Sequence, residues 1–293
     1  MISSCIFSIR SCLDDNGYFI IGRWWMDCKI IKIVVILFFL NSFVNAAEFK
    51  GSFKQGSFIL GKTESSAKVF VDKKKIRVTK DGYFAFGIGR DRKNNLIIKI
   101  INKEKTEVIE KKVLKREYKI QRIEGLPPKQ VTPPPEVYDR IKKDNQLIGK
   151  ARSIDTPNDF FKYKFIYPLE KYIITGVYGS QRVLNGKPRR PHYGIDFHAP
   201  EGTPVKAMMD GVVTLAEKNM YFTGGTLIFD HGHGISTLFM HMKDINVEVG
   251  QKVKQGEIVG TLGQSGRATG PHLDIRLNWF DVKLDPVTIL NLN

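Results

Sequence analysis

The sequence predicts an all-β protein made of two β-rich domains. Three patterns predict it. Between residues 48 and 122 apolar residues recur with the period of two expected of strands, as Ala67, Val69 and Val71 do, with Ile76 and Val78 continuing. From about Ile154 to the end, glycine and proline recur at short intervals, which is the punctuation of tight turns. That second stretch carries no convincing helical periodicity. A small N-terminal β-sandwich followed by an antiparallel sheet domain satisfies all three.

At 293 residues the chain is long enough for two cores, and its mixture, 42% hydrophobic and 26% charged, is that of a globular protein. Residues 1–46 read as an upstream extension and an export signal. From Met26, Lys29 and Lys32 give a basic start, Ile33 to Leu40 is apolar, and Val44-Asn45-Ala46 is a small-residue cleavage site. The apolar run is short of the ~20 residues needed to span a bilayer, which favours cleavage near Ala47 over an uncleaved anchor. The expected location is therefore outside the cytoplasm, in the periplasm or cell envelope, with membrane contact only in transit. Residues 1–25 fit no role, and Met26 is the better start. Cys5, Cys12 and Cys28 all precede the cleavage point, so the mature chain would hold no disulfide and no cysteine metal site.

Residues 47–125 read as the sandwich. Asp81-Gly82 marks a hairpin turn before Tyr83 to Phe86, Asn94-Asn95 precedes the strand at Leu96, and a long alternating stretch runs from Thr106 to Ile120. The segment has no histidine, so it is expected to be a non-catalytic binding or spacer module. Residues 126–153 read as a linker and helix. Leu126-Pro127-Pro128 and Pro133-Pro134-Pro135 are stiff and extended. Glu136 to Lys150 then forms a helix with Pro135 as its first residue and Val137, Ile141 and Ile148 on one face. Residues 154–293 form the sheet domain, with turns at Gly202-Thr203, Gly211, Gly224-Gly225 and Gly232-His233-Gly234.

The net charge is +16, nearly all of it beyond residue 46. A basic exported chain is drawn to polyanions. No nucleic-acid motif accompanies the lysines, which are spread along the chain as in Lys73-Lys74-Lys75, so nucleic acid is not expected as a partner. An anionic envelope polymer and a merely solvated surface both fit.

Chemistry is concentrated in one stretch, because all six histidines lie between positions 192 and 272. Histidine is the commonest neutral metal ligand and the usual general base. His272 and Asp274 fall on the polar parity of a strand whose other parity is Leu273, Ile275, Leu277 and Trp279. Residues i and i+2 share a face about 7 Å apart, which suits one ligand and one neighbouring base. His192 and Asp196 would lie about 13 Å apart on a straight strand, too far for one ion. The chain must bend between them, and Gly194 can supply the bend.

These residues carry a resemblance. His192-Tyr193-Gly194-Ile195-Asp196-Phe197 followed by Ala199-Pro200-Glu201-Gly202-Thr203-Pro204 resembles the first motif of the lysostaphin/LytM-type peptidoglycan metalloendopeptidases. Tyr178 to Arg182 resembles their lead-in, Thr237 to Met242 their middle motif, and Gly263 to Gly266 with Thr269 to Leu273 their last. The resemblance covers roughly residues 165–290. It implies a compact antiparallel fold with an open groove, a zinc ion at its floor and cleavage of peptide cross-links in the cell wall. It implies His192 and Asp196 as zinc ligands and His241 and His272 as catalytic histidines acting on the water and the oxyanion. The third ligand in the family is normally a histidine at the position of Asp274. A carboxylate is an acceptable zinc ligand, but two carboxylates cancel the charge of the ion and should make it a poorer electrophile.

Among the remaining residues, His231 and His233 read as parts of a polar hairpin turn and His198 as a neighbour of Asp196. Arg182 is structural or substrate-facing. Arg276 shares a face with Asp274, and either bridges that carboxylate or attracts a carboxylate of the substrate. Two functions follow from different classes: a secreted zinc endopeptidase acting on peptidoglycan, or a non-catalytic relative that binds peptidoglycan or regulates another cell-wall hydrolase. Retention of His192, Asp196, His241 and His272 together favours the enzyme.

Overall fold

The computed structural model describes residues 18–21, 24–27, 47–103, 105–125 and 131–292. The chain divides into two units, residues 1–45 and 46–293. In the first, β1 (Tyr18–Ile21) and β2 (Trp24–Asp27) pair as an antiparallel hairpin. Beyond Asp27, the expected export segment lies outside the described residues, as do the three cysteines.

The second unit opens with β3 (Glu48–Lys50), β4 (Phe58–Lys62), β5 (Lys68–Val71), β6 (Lys74–Ile76), β7 (Tyr83–Gly87), β8 (Leu96–Ile101) and β9 (Thr106–Lys111). They form two antiparallel sheets, ordered β3-β4-β7 and β6-β5-β8-β9. Period two sets the faces: Leu96, Ile98 and Ile100 of β8 are buried while Ile97 is exposed. The Asp81-Gly82 turn forms as read, with Gly82 at φ +88 and so close to the chain that a Cβ would lie 1.9 Å from Thr63 O.

The stretch from Thr106 to Ile120 is not one strand. β9 ends at Lys111, and Leu114 then bridges Lys54 through Leu114 N–H to Phe53 O and Gln55 N–H to Leu114 O. The chain next forms β10 (Ile120–Ile123), which pairs in parallel with β12 (Gln181–Leu184). Alternation persists because the chain stays extended. It cannot show that the hydrogen-bonding partner changes.

A 3₁₀ turn at Pro135–Val137 leads into α1 (Tyr138–Arg152), close to the expected helix. Its contact face differs. Leu147, Ile148 and Ala151 pack on Leu215, Met220, Ile228, Leu238 and Met240, whereas Val137 and Ile141 do not join that cluster.

The remaining strands are β11 (Ile173–Gly176), β13 (Lys187–Pro188), β14 (Ile195–His198), β15 (Pro204–Lys206), β16 (Gly211–Met220), β17 (Gly224–Asp230), β18 (Ile235–Ile245), β19 (Lys252–Val253), β20 (Ile258–Leu262), β21 (Leu273–Trp279) and β22 (Val282–Leu284). Ten of them form one antiparallel sheet ordered β11-β14-β21-β18-β17-β16-β19, with β20 joining β15 to β18 and β22 beside β21; β13 pairs with β12 instead. Helix is limited to a 3₁₀ turn at Phe160–Lys162 and α2 (Val287–Leu290). The fold is all-β, as the sequence predicts.

The core runs through the boundary drawn at 126–153. Phe58, Phe84 and Phe86 belong to the same apolar cluster as Phe239, Leu277 and Leu284. Phe58 N–H donates to Thr288 Oγ1 at 3.0 Å and Asp285 N–H to Gly56 O at 2.8 Å. The Arg116–Asp285 ion pair, at 2.6 Å, lies on the same seam.

The turn at His231 to Gly234 joins β17 to β18 as read, but both of its histidines are buried. His231 Nδ1–H donates to Asp210 O at 2.8 Å, and Thr237 Oγ1–H donates to Nε2 at 2.8 Å. Both ring nitrogens are thus satisfied in the neutral form. Burial, against the pull of Asp210, pushes the His231 pKa down to about 4. Above pH 6.5 the ring is neutral whether the chain is folded or not. As pH falls from 6.5 towards 4, only the unfolded chain gains the proton, so stability declines across that window and the loss levels off below it. The full effect is about 3 kcal/mol. Denaturant unfolding between pH 7 and 4 should show a shallower decline for His231→Gln than for the natural protein. Equal slopes would show that His231 contributes nothing to it.

Candidate metal centre and its cleft

Asp196 on β14 and Asp274 on β21 are direct cross-strand partners. Facing residues on adjacent antiparallel strands bring their side chains within ~5 Å. His192 precedes β14 in a loop and is folded inward by two backbone bonds, His192 N–H to Ser180 O at 2.8 Å and Gly179 N–H to His192 O at 2.7 Å. Its Nε2 lies 3.0 Å from Asp196 Oδ1 and 3.2 Å from Asp274 Oδ2. The expected loop running into a strand is present, but Gly194 serves it differently. A Cβ there would lie 2.2 Å from Asp274 Oδ1 and 2.6 Å from Ile275 O, so glycine is required by close approach. Gly176, paired with Asp196 on β11, does the same on the other side, where a Cβ would lie 2.1 Å from Asp196 Oδ2.

All three side chains are buried, and one ligand atom of each lies within 4.8 Å of the others. Apart from the His192 Nε2 contact, Asp196 Oδ1 has no partner among the described residues, and His192 Nδ1 has none. Burial disfavours a charged His192, yet Asp274 and then Asp196 overcome it and raise its pKa above the ordinary value. Burial likewise opposes ionisation of Asp274, but Arg276 and then His192 hold its carboxyl well below the usual range. The cluster therefore calls for positive charge, and one nitrogen with two carboxylates is a donor set that fits a divalent ion.

Both carboxylates are also held from behind. Arg276 donates to Asp274 through Nε at 3.3 Å and Nη2 at 3.0 Å, and Arg182 donates to Asp196 Oδ2 at 3.3 Å. Arg276 thus bridges Asp274, one of the two roles the sequence leaves open for it.

His241 and His272 line the same cleft, of about 310 Å³, as Asp196 and Asp274. His241 Nδ1–H donates to Ser265 O and His272 Nδ1–H to Gly270 O, both at 2.8 Å. A carbonyl can only accept, so each neutral ring carries its proton on Nδ1 and keeps Nε2 as an acceptor. The rings stand together, their centroids 4.7 Å apart. Burial pushes the His241 pKa down to about 4, so its ring is neutral at neutral pH. His241 sits at φ +65 within β18. That left-handed residue breaks strand alternation, so Met240 and His241 both face the cleft. His272 lies just before β21, and its N–H reaches Gly263 O at 3.2 Å. His198 lies at the cleft edge, its Nδ1–H donating to Pro271 O at 2.7 Å.

The cleft also contains residues the sequence does not reveal. Gln121 and Ile123 reach it from β10, and Arg267 from the turn before β21. No motif marks Gln121. Only its parallel pairing with Arg182 brings it here.

The match to known proteins falls on this region. Residues 190–286 match the family model described as Peptidase family M23. The chain is similar to an uncharacterized metalloprotease of Buchnera aphidicola subsp. Baizongia pistaciae, 33% identical over 149 residues that make up 50% of this chain and 38% of that protein. It is also similar to peptidoglycan DD-endopeptidase ShyA of Vibrio cholerae serotype O1, 38% identical over 113 residues, 38% of this chain and 26% of that one. The chain thus spans well under half the length of these relatives. A crystal structure named for an M23 peptidase of Pseudomonas aeruginosa shares the fold, with a TM-score of 0.64 at 23% identity over 82% of this chain and 95% of that one. Residues 190–286 thus match peptidase family M23, which supports the lysostaphin/LytM-type resemblance read from the motifs.

Proposed function

We propose that the protein is a zinc-dependent endopeptidase, exported to the periplasm or cell envelope, that hydrolyses peptide cross-links of peptidoglycan. The observation that carries this reading is the convergence of His192, Asp196 and Asp274 in a cleft lined by two histidines whose Nε2 atoms are left as acceptors. The substrate class rests on the peptidoglycan endopeptidase relative. His192, Asp196 and Asp274 would hold the ion. When bound, it supplies Lewis acidity that polarises the scissile carbonyl and makes water more acidic. Nε2 of His272 accepts the proton of the attacking water and returns it to the departing amine. His241, fixed by Ser265 O, offers a second neutral Nε2 beside it as an alternative acceptor for that proton. Arg182 and Arg276 keep both carboxylates aimed.

Elemental analysis should find about one divalent ion per chain in the purified protein, lost in His192→Ala. The metal-loaded protein should release soluble fragments from purified peptidoglycan. Equal metal in both proteins would remove His192 from the ligand set. Absence of hydrolysis with zinc, manganese and cobalt would leave the non-catalytic adaptor instead.

A further inference from the structure

A second cavity, of about 700 Å³, adjoins the metal cleft and shares Arg182, Met240, Arg267 and Arg276 with it. Its walls come from distant parts of the chain. α1 supplies Asn145, Ile148 and Arg152, the loop before β14 supplies Arg189 and Arg190, and β22 supplies Lys283. Among the described residues, seven Arg and Lys side chains and no Asp or Glu line it. Two of these cations, Arg182 and Arg276, are matched by Asp196 and Asp274 in the neighbouring cleft.

Arg152 and Arg190 crowd Lys283, and Arg189 crowds Arg267. Nε of Arg152 and Nε of Arg189 are buried without a hydrogen-bond partner among the described residues. Arg152 reaches Asn278 Oδ1 across a long contact of 3.5 Å, while Arg189 is braced by Val131 O at 2.9 Å and Thr132 Oγ1 at 3.2 Å. Burial and then Arg152, Arg276 and Arg190 lower the Lys283 pKa. Burial and then Arg182, Arg276 and Arg189 push Arg267 down to about 10. Asp281 offsets Arg152 and Lys283 only in part. Like charges packed this closely raise the energy of the site until an anion enters it. Guanidinium groups are the side chains best shaped for bidentate contact with carboxylates.

We propose that this cavity binds the free carboxylates of the peptide whose scissile bond lies over His192, Asp196 and Asp274. The proposal rests on the endopeptidase reading and specifies its substrate as a peptide carrying carboxylates to one side of the cleaved bond. Two features favour a peptide over a phosphate polymer. The cavity adjoins the cleft and shares lining residues with it, within reach of one extended ligand. Its cations are interleaved with Ile148, Leu184, Leu238 and Met240, which suit aliphatic side chains. Arg152 and Val131 lie outside residues 190–286, so part of this wall comes from segments the family match does not cover.

The test compares two synthetic cross-linked peptides, one with free carboxylates and one with the same groups amidated, cleaved by the full chain loaded with zinc. The natural protein should prefer the free-carboxylate peptide, and Arg152→Gln and Arg190→Gln should each reduce that preference about tenfold, mainly through KM. Equal cleavage of both peptides by the natural protein, or a preference unchanged in both variants, would overturn the proposal. If neither peptide is cleaved, the endopeptidase reading fails by itself, and binding of the same peptides decides the cavity. Tighter binding of the free-carboxylate peptide, weakened about tenfold in Kd by Arg152→Gln and by added salt, upholds it. Equal binding of the two peptides, or tighter binding of a phosphorylated glycan, overturns it.

Discussion

His272→Ala is expected to keep its metal and lose hydrolysis of purified peptidoglycan by about 10²–10⁴-fold, the usual cost of removing a general base. The argument is geometric. Strand parity places His272 beside Asp274, and its Nδ1 proton is committed to Gly270 O at 2.8 Å. The ring therefore presents Nε2 to the cleft as an acceptor and is absent from the cluster of His192, Asp196 and Asp274. Metal content and hydrolysis rate, measured on one preparation, separate the two roles. Loss of metal along with activity would make His272 a ligand and overturn the division of labour. His241→Ala should behave similarly, and its left-handed backbone adds a control. Glycine tolerates φ +65 better than alanine, so His241→Gly should fold at least as well while remaining inactive.

Much of this site is legible in the sequence because its parts lie in short local patterns. A strand with alternating faces predicts the His272–Asp274 relation directly. The spacing of His192 and Asp196 predicts a bend, since a straight strand would hold them too far apart. What escapes is whatever depends on which strand lies next to which. The pairing of Asp196 with Asp274 spans 78 positions and follows from β14 lying beside β21. The need for Gly194 and Gly176 follows from the same neighbourhood, because the atoms they would strike belong to other strands. The arrival of Gln121 in the cleft reflects a parallel pairing between β10 and β12 that alternation cannot distinguish from a continued sandwich strand. His231 and His233 lie in a turn whose polarity suggests exposure, yet neighbouring chain covers it: a Cβ on Gly232 would lie 1.6 Å from Asn158 O. Burial of that kind depends on a tertiary partner and leaves no local trace.

Asp274→His, which supplies the residue the family pattern normally has at this position, is expected to weaken the protein. From sequence alone a second carboxylate looks like a defect, because with Asp196 it cancels the charge of a divalent ion. The structure supplies the compensation. Arg276 binds Asp274 through two donors and Arg182 binds Asp196, so each carboxylate would share its charge between an arginine and a bound ion. An arginine drawing on those oxygens leaves the ion more positive than the count of carboxylates suggests. Replacing Asp274 alone would strip Arg276 of its partner in a half-buried place and set an imidazole against a guanidinium. Leaving such a charge unmatched costs about 1–3 kcal/mol. Thermal unfolding without metal should therefore show Asp274→His less stable than the natural protein. The double variant Asp274→His with Arg276→Ala should recover part of the loss, because the orphaned charge is gone. Arg276→Ala alone should lower metal affinity or hydrolysis about 10–100-fold, the usual cost of losing a residue that orients a ligand. The three proteins and the natural chain form a double-mutant cycle whose coupling should be favourable to the Asp274–Arg276 pair. If Asp274→His matches or exceeds the natural protein in stability and hydrolysis with Arg276 intact, the two residues do not act as a unit. Aspartate would then be a weaker ligand that the arginine does nothing to offset.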